Sequence, residues 1–125
     1  MSQQRLGPYI NFQGRAREAM EFYQKVLGGK LDVQTANDRV AQARLDADGV
    51  LIVASDGHPK YPPTVGDHMA IALSGTDKGG LTKIFNDLGA GGQIKGPLTA
   101  QPGGSEVGWL MDKFGINWMV SIDKA

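Results

Sequence analysis

Two stretches of the chain carry apolar residues at helical spacing. In residues 15–27 they recur every three or four positions, and the two glycines that follow supply a left-handed stop. Residues 77–88 repeat this pattern, with Thr76 or Asp77 as the cap and Gly89 as the stop. The pattern therefore predicts one helix in each half of the chain.

Strand-like segments surround both predicted helices. Residues 9–12 and 68–73 precede the helices, and each segment ends in a small turn. After each helix come further strand-like stretches, which end in a turn and an apolar strand, VLIVAS in the first half and INWMVS in the second. The order of one strand, one helix and three strands therefore occurs twice, which indicates an internal duplication.

The duplication predicts how the chain is organised. One domain of 125 residues is expected, with module 1 at about 5–57, a connector at 58–67 and module 2 at about 68–123. Three prolines in the connector cannot donate hydrogen bonds to a sheet ladder. The second half has a few extra residues, which the sequence places around GPLTAQPGGS.

A lone βαβββ unit would leave one face of its sheet bare, so two units are expected to pair. The predicted fold class is α+β, with two βαβββ modules forming curved mixed sheets around a cup and the helices on the outside. A small-molecule site is expected in that cup.

Composition narrows the classes of function. Hydrophobic residues make up 41% and charged residues 21% of the chain, as in ordinary globular proteins, and no apolar run is long enough to span a bilayer. Thirteen basic residues balance thirteen acidic ones without a basic block, so neither nucleic acid nor a membrane is an expected partner. With no cysteine and no signal-peptide pattern, a cytoplasmic location is expected.

Strand alternation predicts which side chains line the cup. In residues 68–73, Met69, Ile71 and Leu73 are expected to pack under the helix, which leaves His68, Ala70 and Ala72 facing inward. Trp109 is compatible with either face. The candidate ligand-binding residues are Tyr9, Asn11, Gln42, His68, Trp109, Asn117, Met119 and Ser121. His68 is also the candidate catalytic residue, because histidine can exchange a proton near neutral pH.

Three segments resemble one known family. GPYINFQGRAREAMEFYQKVLGGKL, GVLIVASDG and GWLMDKFGINWMVSI are similar to the hallmark stretches of PhnB-like proteins, a branch of the vicinal-oxygen-chelate (glyoxalase/bleomycin-resistance/dioxygenase) superfamily. The resemblance implies a homodimer. It also implies a divalent metal in catalytic members, at positions that correspond to Gly7 (or Pro8), Val53, His68 and Met119. Only His68 is a credible ligand among these, so neither a metal nor another cofactor is expected.

Several functions remain open. The first is a metal-free protein that binds a small, partly aromatic or amphipathic molecule. The second is an enzyme, such as a metal-dependent lyase, isomerase or dioxygenase with a degenerate site around His68, Gln42 and Glu106. The third is a structural or regulatory dimer whose cup is filled by its own side chains. A ubiquinone methyltransferase is a name sometimes attached to the family, but the chain has no glycine-rich dinucleotide-type turn.

Two aspartates have simpler interpretations. Asp56 lies beside a glycine and is interpreted as a turn residue, and Asp112 in MDKFG is likewise expected to serve only a turn. His58, in the proline-rich connector, is expected to be solvated.

Overall fold

The computed structural model describes residues 6–47, 49–57, 66 and 68–124. Contacts divide the chain into two units, one for each predicted module. The first module contains β1 (Tyr9–Asn11), α1 (Ala16–Leu27), β2 (Lys30–Ala36), β3 (Arg39–Ala47) and β4 (Val50–Ser55). The second contains β5 (Ile71–Gly75), α2 (Lys78–Gly89), β6 (Gln93–Ala100), β7 (Glu106–Met111) and β8 (Asn117–Ile122).

Both modules have the same sheet topology. The strand orders are β1-β4-β3-β2 and β5-β8-β7-β6, in two four-stranded sheets. The first strand of each module is parallel to the last, and the other neighbours are antiparallel. The predicted βαβββ modules are confirmed. The hollow shared between them stays a prediction from the sequence.

Helix α1 covers one face of the first sheet. It spans Ala16–Leu27 and is capped by Gly28, whose positive φ of 79° is the left-handed stop expected from the sequence. The buried stripe of the helix packs against buried residues of β3 and β4. The helix contributes Ala16, Ala19, Met20 and Tyr23 to this core, and the two strands contribute Val40, Ala43, Leu45, Ile52 and Ala54.

Helix α2 covers the second sheet in the same way. The Asp77 carboxylate accepts a hydrogen bond from the Gly80 N–H at 3.1 Å, so the expected cap is confirmed. The predicted stop at Gly89 is wrong, because the helix includes Gly89 and the left-handed residue is Gly91. The end of the Ile94 side chain packs against Gly89, in the space that a Cβ of Gly89 would occupy.

The strand predicted over residues 68–73 begins later than expected. β5 pairs with β8 only from Ile71 onward, so the alternation rule does not extend to the residues before it. The prediction that Met69 packs under the helix is wrong, since its side chain is 75% exposed. Ile71 and Leu73 are half-buried opposite Trp118 and Val120, on the helix side as expected.

Asp56 and Asp112 are buried side chains that connect separate elements, so the interpretation of both as turn residues only is wrong. The Asp56 carboxylate accepts hydrogen bonds from the Ala16 N–H at 2.9 Å and the Val40 N–H at 2.7 Å. It thereby joins the end of β4 to the start of α1 and to β3.

The connector predicted at 58–67 lies outside the described residues except for Gly66, and His58 lies outside them as well. In the part of the chain that is described, neither helix is long and apolar enough to cross a membrane.

Candidate functional site

Each sheet has one face that its own helix does not cover, here called the open face. In the first module the register pairs Tyr9 with Val53 and Asn11 with Ser55, on the face opposite the buried Ala54. These side chains therefore share the open face, as strand alternation predicted for Tyr9 and Asn11. Gln42 lies on this face too, two strands from Tyr9, and it does not line the cleft described next.

A polar cleft of about 560 Å³ lies at one end of the first open face, and Tyr9, Asn11, Arg39, Ser55 and Gly57 contribute to its lining. The Tyr9 hydroxyl and Ser55 Oγ are 2.7 Å apart, and the Gly57 N–H donates to Ser55 Oγ at 3.1 Å. The Arg39 guanidinium donates to the carbonyl of Gly57 at 2.6 Å. Much of the hydrogen-bonding capacity of this cleft is therefore used within the protein.

The open face of the second module is richer in large apolar side chains. Trp109 pairs with Met119, which also pairs with Ala72, and all three lie opposite the helix. Trp109, which the sequence allowed on either face, therefore lies on the open face of the second sheet. Ser121 lies two residues further along β8, on the same face, where it pairs with Val107.

A second cleft, of about 400 Å³, opens on this face and brings together three predicted residues, His68, Trp109 and Asn117. Met119 and Ser121 share the face but do not line the cleft. The remaining lining residues are Met69, Ala70, Lys95, Leu110 and Trp118. We call this site the Trp109 cleft.

The indole of Trp109 is held against the backbone of β6. A Cβ on Gly96 would lie 3.4 Å from Trp109 Cδ1, so the ring packs over the glycine. Trp109 nevertheless remains 48% exposed, whereas Trp118 is buried and donates its indole N–H to Asp112 at 2.9 Å. Only one of the two tryptophans thus presents a ring to a ligand.

Lys95 is a site residue that the sequence did not identify. Its Nζ donates to Asn117 Oδ1 at 3.3 Å, and Asn117 Nδ2 donates to the Met69 carbonyl at 3.4 Å. Lys95 lies at an irregularity in β6, where Ile94 pairs with Leu110 and Gly96 already pairs with Trp109. The neighbouring glycine was the available signal, since a glycine within a strand often marks a bulge.

Glu106 is not directed toward the open face. Its register with Ile122 places it on the helix side, and its carboxylate lies 3.1 Å from Lys78 Nζ in α2. It therefore contributes to the contact between β7 and α2. The predicted degenerate site around His68 and Gln42 consequently receives no carboxylate from Glu106.

The donor set does not fit the metal that the superfamily resemblance implies. Val53 and Met119 lie on their open faces but offer an isopropyl group and a thioether, which are poor ligands for hard divalent cations. Gly7 has no side chain, and a Cβ there would collide with the Leu51 carbonyl. Among residues 6–47, 49–57, 66 and 68–124, no three His, Cys, Asp or Glu side chains form a group suited to a metal.

A protein-family model described as 3-demethylubiquinone-9 3-methyltransferase matches residues 4–121 of the chain. Among solved structures, the chain is similar to protein PA1353 from Pseudomonas aeruginosa, with 31% identity, a TM-score of 0.88, and coverage of 98% of this chain and 100% of that one.

Two further structures extend the similarity. A putative 3-demethylubiquinone-9 3-methyltransferase, PhnB protein, from Bacillus cereus is 24% identical, with a TM-score of 0.76 and coverage of 94% and 98% of the two chains. A glyoxalase/bleomycin resistance protein/dioxygenase family enzyme from Burkholderia phytofirmans PsJN is 14% identical, with a TM-score of 0.64 and coverage of 93% and 94%. At these identities the likeness concerns the fold.

Proposed function

The chain belongs to the PhnB-like family, described as 3-demethylubiquinone-9 3-methyltransferase, within the glyoxalase/bleomycin-resistance/dioxygenase superfamily, and from this premise we propose that it binds a small, partly aromatic molecule without a metal. The Trp109 cleft is the proposed site. The observation that carries the proposal is the half-exposed indole of Trp109, which packs against Gly96 beside hydrogen-bonding side chains.

The lining of the cleft has the chemistry of a small-molecule site. Such sites combine apolar and aromatic surface with a few polar groups that orient the ligand. Here Trp109 and Met69 supply exposed apolar surface, while His68, Lys95 and Asn117 supply polar groups. A planar ligand stacked on the indole would gain contact area and the preferred offset geometry of aromatic pairs.

The Trp109 cleft is favoured over the helix N-termini as the binding site. Anionic cofactors commonly bind at such termini, where backbone N–H groups are available. In α1 the Asp56 carboxylate accepts from the Ala16 N–H, and in α2 the Asp77 carboxylate accepts from the Gly80 N–H. Both positions thus already hold a carboxylate.

The proposal is tested by titrating ¹⁵N-labelled protein with 2-naphthylmethanol, a neutral planar probe, and following the two indole N–H resonances by NMR. We expect the Trp109 resonance to shift with saturation while that of the buried Trp118 stays in place. Trp109→Ala should weaken binding about tenfold, since an aromatic pair contributes about 0.5–1.5 kcal/mol beyond buried area.

The matched control is Leu6→Ala, which removes a fully exposed apolar side chain of the first module. It should leave the affinity unchanged. If the naphthyl probe causes no saturable shift at millimolar concentration, or binds Trp109→Ala as well as the unmodified protein, the Trp109 cleft is not an aromatic-binding site.

A further inference from the structure

Lys95 gives the Trp109 cleft a positive charge. We propose that the ligand of this cleft is an aromatic molecule that carries an anionic group, such as a carboxylate, and that the Lys95 ammonium binds that group. This inference rests on the proposed function, because it specifies the chemical class of the molecule bound there.

The position of Lys95 follows from the irregularity in β6. Because Gly96 is the residue paired with Trp109, Lys95 is an extra residue between two register pairs. Its Nζ reaches Asn117 Oδ1 on β8, and β7 lies between β6 and β8. Neighbouring strands are about 4.8 Å apart, so the lysine side chain must extend across β7, the strand that carries Trp109.

Asn117 holds the ammonium in this position. Its Nδ2 donates to the Met69 carbonyl at 3.4 Å, which directs Oδ1 of the same amide toward Lys95. Asn117 is therefore a positioning residue. The ammonium retains further N–H groups for a ligand, since a lysine has three donors.

No carboxylate within the described chain neutralises Lys95. The cleft lining contains no Asp or Glu among those residues, and the ion pairs of the second module join Lys78 to Glu106 and Lys83 to Asp87. The partner of Lys95 is instead a neutral amide. An ammonium beside apolar surface forms a stronger hydrogen bond with an anion than with a neutral acceptor.

The Trp109 indole and the Lys95 ammonium together define the ligand class. A bicyclic ring stacked on Trp109 can direct a substituent along the sheet toward the Lys95 ammonium, which crosses the same strand. A neutral aromatic molecule would use the indole but leave the ammonium without an anion. The cleft is therefore expected to prefer aromatic acids over aromatic alcohols of the same shape.

The test compares 2-naphthoate with 2-naphthylmethanol by the same NMR titration, at low ionic strength and about pH 8, where the carboxyl group of naphthoate is ionised. We expect naphthoate to bind roughly five- to tenfold more tightly, which is the size of effect given by one charge-assisted hydrogen bond at a partly exposed site. The preference should shrink as salt is added.

Lys95→Gln is the matched variant, because it keeps a polar side chain at the same exposed position. It should abolish the preference for naphthoate, so that naphthoate and 2-naphthylmethanol bind this variant with about equal affinity. Lys95→Glu should reverse the preference toward 2-naphthylmethylammonium. Circular dichroism is used to check that both variants retain the fold.

The outcomes separate the two proposals. If both probes bind the unmodified protein equally and Trp109→Ala weakens both, aromatic binding stands and the anion preference is wrong. If naphthoate is preferred but Lys95→Gln retains that preference, the assignment to Lys95 is overturned. If neither probe binds, the proposed function itself fails, and the inference fails with it.

Discussion

At the scale of single residues, the fold depends on two buried carboxylates, one in each module. Asp112 Oδ1 accepts from the Phe114 N–H at 2.8 Å and the Ile116 N–H at 3.1 Å, while Oδ2 accepts from the indole of Trp118. A buried charge is tolerated only when it is well hydrogen-bonded, and Asp112 meets this condition. Its carboxylate fixes both the β7–β8 turn and the largest core side chain of the second module.

Replacing Asp112 with alanine should lower the free energy of unfolding by about 2–3 kcal/mol, because the Trp118 indole N–H would be left buried without its acceptor. Urea unfolding monitored by circular dichroism measures the change. Asp32→Ala, at an exposed position of β2, is the control and should change stability by less than about 0.5 kcal/mol.

A double-mutant cycle with Trp118→Phe tests whether the loss of stability comes from the Asp112–Trp118 hydrogen bond. The Asp112→Ala cost should be smaller in the Trp118→Phe background, since phenylalanine has no N–H to leave unpaired. Equal costs in both backgrounds would contradict the assigned role of the Asp112–Trp118 hydrogen bond.

The sequence identified the turn at Asp112 but not the distant partners of Asp56. Aspartate is common in turns, and the β7–β8 turn is indeed where Asp112 lies. The partners of Asp56, at Ala16 and Val40, are remote along the chain, so no local pattern could reveal them.

At the scale of elements, the contact between α2 and β7 depends on the absence of a side chain. A Cβ on Gly108 would lie 2.6 Å from Phe85 Cε1 and 3.1 Å from Leu98 Cδ2. The phenylalanine ring of the helix therefore packs directly against the strand backbone. Close packing of this kind has little room for an added methyl group.

Gly108→Ala should consequently destabilise the protein by about 1–3 kcal/mol, the usual cost of overpacking a core. Thermal unfolding by calorimetry provides the measurement. Gly103→Ala is the matched control, because a Cβ at that position would have no neighbouring atom within 4 Å. A Gly108→Ala protein as stable as the unmodified one would mean that α2 shifts away from β7 without cost.

The sequence predicted helices more accurately than strand details. Apolar periodicity and capping residues define α1 and α2 within a residue or two, since these signals are local. The start of β5 and the irregularities of β6 depend on which residues meet on the neighbouring strand, and periodicity alone does not contain that information.

At the scale of the whole molecule, a glyoxalase-like fold does not by itself supply the metal ligands that the resemblance to the vicinal-oxygen-chelate superfamily implies. The four corresponding positions hold Gly7, Val53, His68 and Met119, and only the histidine offers a suitable donor. Fold and family are shared, whereas function is carried by the side chains at the site.

We therefore expect zinc, nickel and manganese to leave the melting temperature unchanged in a thermal-shift assay on tag-free protein. A metal at a hundredfold its Kd would stabilise the fold by about 2.7 kcal/mol, which corresponds to a rise of several degrees. A rise that is lost in His68→Ala, together with one metal per chain by elemental analysis, would restore the enzyme alternative around His68.

The sequence by itself determined the two βαβββ modules and the family, because these follow from local periodicity and from residue types. Only the tertiary structure decided that Trp109 lies on the open face, that Lys95 crosses β7 to Asn117, and that Asp56 and Asp112 are buried. These features depend on strand register and on contacts between distant segments. A register that differs by one residue would turn each strand side chain to the opposite face.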